Sequence, residues 1–254
     1  MAEIALNKEL QKIVADIAEV AQYLWEKGWA ERNAGNITVD ITEFAPRISV
    51  DLAQFTKIPM EITSSELAGR YFFVTTTGKR CRDLGRQPEK SLLIVRIADE
   101  LDGYRILWGG EGPKSRPTSE FVPHLKIHGL LRKSNSPQKV VLHSHPSHLI
   151  ALTNMEDYGK DSFNRFLWGT HVAAKFFLPE GVGMVSFGFE EKEELAEVTA
   201  KLLKQHRAVL WEKHGCITTG TTVAEAFDLM DILNKAAEVF LICKSAGFEP
   251  KIPR

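Results

Sequence analysis

The chain has 254 residues, 44% hydrophobic and 26% charged, which suits one ordinary globular unit with a substantial core, so residues 1–254 are expected to form a single domain. Lysine plus arginine number 32 against 33 aspartate plus glutamate, which offers no broad attraction to nucleic acid or an anionic membrane; any anion must be bound locally. The N-terminal MAEIALNKEL has no basic segment followed by an apolar run, and the three cysteines, Cys81, Cys216 and Cys243, are odd in number and widely spaced, which fits a reducing cytoplasm.

From about Leu10 to Gly28, Ile13, Ile17, Ala21 and Leu24 recur at helical spacing and predict an amphipathic helix. The turn Glu31-Arg32-Asn33-Ala34-Gly35-Asn36 then leads into a β-prone segment, Ile37-Thr38-Val39. Tyr71 to Thr75 is a strand by aromatic and β-branched content, and it runs into the polar turn Thr76-Thr77-Gly78-Lys79. Ser91 to Ile97 and Tyr104 to Trp108 are further strands, with Asp102-Gly103 as a hairpin signal. Thr118 or Ser119 can cap a helix running through Glu120, His124 and His128, with Pro123 tolerated in its first turn. After a strand at Lys139 to His145 come a helix around Asp161 to Leu167, a strand at Ala174 to Leu178 and a charged helix at Glu190 to His206. A strand at Ala208 to Trp211 and a long helix at Val223 to Ala246 close the pattern. Strands and helices interleave without repeats or linkers, so a sheet covered by helices, partly antiparallel, is the expected architecture.

The sharpest chemical signal is Val141-Leu142-His143-Ser144-His145. Side chains alternate along a strand, so His143 and His145 project from one side and form a metal half-site. His214, where an apolar strand breaks before Gly215, is a third candidate that would complete a three-histidine site with an open position. Glu120 is the acid/base candidate, near a helix start where backbone N–H groups favour an anion and where Thr118 and Ser119 stand beside it. Glu120, His124 and His128 share a helix face and make a rival metal set, but both of those histidines read better as structural. Asn33, Gly35 and Asn36, with Thr76, Thr77 and Gly78, form two turns able to aim N–H groups at a phosphate. Thr77-Gly78-Lys79-Arg80 lacks the spacing of a nucleotide-hydrolysing P-loop.

These segments, together with Gly103 to Gly109, Leu149 to Thr153 and Pro179 to Gly183, resemble the class II aldolase and adducin-head family across nearly the whole chain. The resemblance implies an α/β fold, a three-layer α/β/α sandwich with a central, largely antiparallel sheet, in a homotetramer with active sites near subunit interfaces. It implies one Zn2+ per subunit on His143, His145 and His214, with Glu120 as acid/base and a small sugar phosphate as substrate. Within the family, Gly28-Trp29-Ala30-Glu31-Arg32-Asn33, Ile106-Leu107-Trp108-Gly109 and Leu149-Ile150-Ala151-Leu152-Thr153 point to cleavage of L-rhamnulose 1-phosphate to dihydroxyacetone phosphate and L-lactaldehyde. The alternatives are an L-fuculose-phosphate aldolase, a pentulose-phosphate 4-epimerase and a non-catalytic adducin-like module. The chain departs from the family pattern at Thr76-Thr77, where Gly-Ser or Ser-Ser is commoner, and at His171 and Ala173, the latter standing where relatives carry an acidic residue.

Overall fold

The computed structural model describes residues 4–47, 50–155, 160–188 and 192–250. Its elements, in chain order, are α1 (Lys8–Glu26), β1 (Asn36–Asp40), β2 (Lys57–Pro59), β3 (Tyr71–Thr75), α2 (Cys81–Leu84), α3 (Pro88–Ser91), β4 (Leu92–Ile97) and β5 (Gly103–Gly109). Then follow α4 (Phe121–Lys133), β6 (Val140–Ser144), α5 (Ser147–Thr153), α6 (Lys160–Thr170), α7 (Val172–Phe177), β7 (Gly183–Val185), α8 (Lys192–Leu202), β8 (Ala208–Trp211), β9 (Gly215–Gly220) and α9 (Val223–Ser245). The strands form one sheet in the order β2-β5-β4-β3-β1-β6-β9-β8-β7. Every pairing is antiparallel except β7 with β8.

Alternation along the strands explains the layers. On one face Ile37, Val39, Phe73, Ile94, Val140, Leu142 and Leu210 pack with apolar residues of α1, α5, α6 and α9. On the other, Phe72, Val74, Leu93 and Val95 meet Phe121 and Leu125 of α4, while Val141, Val209, Trp211 and Ile217 meet Ile127 and Leu131 of α4, with Leu203 just beyond α8. Both faces are covered, giving an α/β/α sandwich whose central sheet is largely antiparallel. Among the described residues no helix is long and apolar enough to cross a membrane.

The strand predicted at Ala174 to Leu178 is helical, lying in α7. Its phenylalanines are surface residues, Phe176 being 76% exposed, so their strand propensity has no sheet to act through. Strands β2, β7 and β9 carry no clear sequence signal. All six residues of β9 are buried, which removes the polar alternation that would mark a strand. The charged helix starts at Lys192 and ends at Leu202; Glu190, its predicted first residue, lies outside the described residues. The helix predicted to include Glu120 begins one residue later, at Phe121, leaving Glu120 as its N-cap.

Candidate active site and metal centre

Three stretches of backbone meet at one end of the central strands. Strands β1 and β6 pair so that Asn36 lies opposite His143. Strands β6 and β9 pair Ser144 with Cys216, and the three-residue turn between β8 and β9, with Lys213 at φ 60°, carries His214 back toward that end. The chain before α4 is stitched to the end of β3: Thr118 N–H donates to the Thr75 carbonyl at 2.8 Å and Thr77 N–H to the Arg116 carbonyl at 2.9 Å. This places Ser119 and Glu120 beside Thr76 and Thr77. All the residues proposed from the sequence, Asn33, Gly35, Asn36, Thr76, Thr77, Gly78, Thr118, Ser119, Glu120, His143, His145 and His214, line a single cavity of about 320 Å3.

Within it, one potential ligand atom from each of His143, His145 and His214 lies within 4.8 Å of the others. His143 Nδ1 donates to the Cys216 carbonyl at 3.0 Å, and His145 Nδ1 donates to Glu31 Oε1 at 2.6 Å, so each ring keeps its Nε2 lone pair free. Gly215 is needed beside them: a Cβ there would come within 2.5 Å of the Ser144 carbonyl and 2.9 Å of the His143 ring. Glu120 Oε2 accepts from Asn36 Nδ2 at 2.9 Å and stands 3.7 Å from His143 Nε2.

The model of the class II aldolase and adducin N-terminal domain matches residues 15–241. The chain belongs to this family. It is similar to the rhamnulose-1-phosphate aldolase of Bacteroides thetaiotaomicron, with 41% identity over 248 residues, 97% of this chain and 90% of that protein. The enzyme of that name from Listeria welshimeri is 34% identical over 229 residues, 89% of this chain and 81% of the relative. A sugar-phosphate aldolase from Thermotoga maritima has a similar structure, with a TM-score of 0.76 and 31% identity, covering 95% of this chain and 99% of that one. The L-fuculose-1-phosphate aldolase of Thermus thermophilus, at 20% identity and a TM-score of 0.61 over 93% of this chain and 97% of its own, shares the fold.

The donor chemistry of this class II aldolase-family chain fits a divalent metal. Burial pushes the His143 imidazole down to about 4, and burial also lowers His214, so both are neutral near pH 7 and able to coordinate. His143 Nε2 is buried without a protein partner, an arrangement that is costly unless something occupies that lone pair. Burial alone would raise the Glu120 carboxyl, but the facing imidazoles, His143 foremost, and the Asn36 hydrogen bond outweigh it and hold the group down to about 2. Glu120 is therefore ionised at neutral pH.

Two further polar atoms lining the cavity, Asn36 Oδ1 and Thr76 Oγ1, are buried without partners, leaving one acceptor and one hydroxyl for a ligand. Gly35 and Gly78 take φ of 82° and 74°, which the two phosphate-type turns require. The sequence reading assigned no role to Glu31, Arg32, Lys79 or Arg80, all of which line the cavity. Their signal was present, since Glu31, Arg32 and Lys79 belong to the two turns named from the sequence and Arg80 adjoins the second. Lys79 is paired with Glu111 at 2.6 Å. His171 and Ala173 do not belong to the cavity wall among the described residues.

Proposed function

We propose that the protein is a zinc-dependent lyase that reversibly cleaves L-rhamnulose 1-phosphate to dihydroxyacetone phosphate and L-lactaldehyde. The observation that carries this reading is the convergence of three imidazoles on one point with Glu120 beside them. The identity to rhamnulose-1-phosphate aldolases over nearly the whole chain supports the choice of ketose. His143, His145 and His214 would hold one Zn2+ per subunit, a set of nitrogen donors that suits that ion. When bound, the cation supplies Lewis-acid polarisation at the ketone oxygen.

The remaining steps belong to the chain itself. Asn33, Gly35, Asn36, Thr76, Thr77, Gly78, Thr118 and Ser119 bind the phosphate and the adjoining hydroxyls, which fixes the substrate end remote from the aldehyde. In the condensing direction, ionised Glu120 removes a proton from C3 of dihydroxyacetone phosphate, C3 joins the aldehyde carbon, and the aldehyde oxygen takes up a proton to become the C4 hydroxyl. In cleavage the C4 hydroxyl gives up its proton, the C3–C4 electron pair passes to C3 as the aldehyde forms, and C3 then takes a proton through the Glu120 carboxyl, which ends ionised again. Asn36 Nδ2 holds the carboxylate toward the reacting carbon through its 2.9 Å hydrogen bond. We further place the protein in the cytoplasm as a homotetramer, with residues 1–254 as one domain and no nucleic-acid or membrane partner. Its free cysteines and exposed apolar residues such as Val172, Phe176 and Phe187 agree with a reducing compartment and with subunit contacts.

The test is a product assay with L-rhamnulose 1-phosphate and L-fuculose 1-phosphate side by side, with metal content measured on the same preparation. Preferential release of dihydroxyacetone phosphate from the rhamnulose ester is expected. Inversion at C4 without cleavage would instead identify an epimerase. Glu120→Gln should keep its metal and lose about 10²- to 10⁴-fold in kcat, the usual weight of a positioned acid/base group.

A further inference from the structure

The three imidazoles of the proposed metal site are supported unequally. His143 is buried in β6 and its Nδ1–H is fixed by the backbone carbonyl of Cys216. His214 packs against Trp211 and the two other imidazoles, with ring centroids 5.1 Å away in each case. His145 lies just past the end of β6, and the partner of its ring is a side chain from elsewhere in the sequence, Glu31 Oε1 at 2.6 Å.

That contact is built by the loop after α1. The Trp29 carbonyl accepts from both the Ser144 hydroxyl at 2.7 Å and the His145 N–H at 2.9 Å, which docks the loop on the end of β6. Trp29 and Ala30 are buried there. The Glu31 carbonyl then accepts from Ala34 N–H at 2.9 Å in a turn whose Arg32 takes φ 54°, a left-handed conformation that is strained for a non-glycine residue. Strain of this kind persists only where the surroundings hold it, and here the docked loop holds Glu31 against His145. The same turn continues to Asn33, Gly35 and Asn36 in the cavity wall.

We propose that Glu31 is a positioning residue of the metal site, whose carboxylate fixes the tautomer and orientation of His145 and strengthens it as a ligand. This rests on the metal reading above. The Glu31 side chain is 63% exposed, so as an ion pair it adds little to folding. Its contribution falls on metal affinity, because a ligand ring that must first be oriented binds more weakly than one already held. The loop thereby ties the metal site to the turn that faces the substrate anion.

The experiment measures Zn2+ affinity by competition with a chromophoric chelator, for the full chain and for Glu31→Ala, Glu31→Gln and His145→Ala, with melting of each metal-free protein. Glu31→Ala should weaken Zn2+ by roughly 10- to 100-fold, the range seen when an outer partner of a ligand histidine is removed. Glu31→Gln, which can still accept the Nδ1–H, should recover part of that loss, and the metal-free melting temperatures of both should match the parent. Parent-like affinity in Glu31→Ala, while His145→Ala loses the metal, would overturn the inference and leave the metal reading intact. A fall in metal-free melting that accounts for the weakened binding would also overturn it. Failure of the parent chain itself to bind Zn2+ would overturn the metal reading, and this inference with it.

Discussion

Two pairs of histidines, His143 with His145 and His124 with His128, occupy the same side of the sheet and have opposite fates. His124 and His128 sit one turn apart on α4, both fully buried, and share the Thr38 hydroxyl at 2.9 Å and 2.8 Å. One hydroxyl proton cannot serve both rings, so one imidazole donates to Thr38 and the other accepts from it, and the pair is held in place by a single residue of β1. His143 and His145 instead stand at the end of β6, turn their second nitrogens toward Cys216 and Glu31, and leave their free lone pairs at a cavity. Spacing alone made both pairs candidates. Each of the four rings has one nitrogen partnered by the chain; what separates the pairs is the other nitrogen, which in His124 and His128 is buried away from the cavity and in His143 and His145 belongs to rings that line it.

The largest effect that would break this contrast is in the strand pair. His143→Ala should abolish stoichiometric metal binding and, by removing several kcal/mol of Lewis-acid stabilisation, lower turnover by about 10³-fold or more. Metal analysis and a rate assay on one preparation check it, and retained metal would move the site elsewhere. The helical pair should instead appear in folding. Burial pushes His124 down to about 3 and His128 to about 4, whereas an unfolded histidine takes its proton near 6.5. Between those values the unfolded chain binds more protons, so this stability is fully present above about pH 6.5 and falls as the pH drops toward 4 and 3. Urea unfolding from pH 7 to pH 4 should lose stability on the order of a few kcal/mol, with a shallower slope in His128→Gln. Thr38→Val is the smallest of these perturbations. It removes the shared hydroxyl and should cost about 1 to 3 kcal/mol in denaturant unfolding, with metal content unchanged. Loss of metal in that variant would show that the two pairs are not independent.

Much of the site could be read directly. The His-x-His spacing on an apolar strand, the glycine after His214 and the two turns rich in glycine, asparagine and threonine are local patterns with local causes, and each names its residue without knowledge of the fold. The supporting residues were harder to see. Glu31 meets His145 only because Ser144 and His145 dock the Trp29 carbonyl, and Asn36 meets Glu120 only because residues 117 and 118 are bonded to the end of β3. The misread strand in α7 has the same origin: Phe176 and Phe177 carry β propensity, yet both are exposed on a helix, and propensity yields to the tertiary setting.

Periodicity, turn composition and the types of side chain able to bind a cation were determined by the sequence itself, because they depend on residues a few positions apart. The strand order, with β1 between β3 and β6 and β9 beside β6, was decided only in three dimensions. That order brings residues separated by more than a hundred positions to one end of the sheet, and it follows from burying both faces under helices, a requirement met by the whole chain at once.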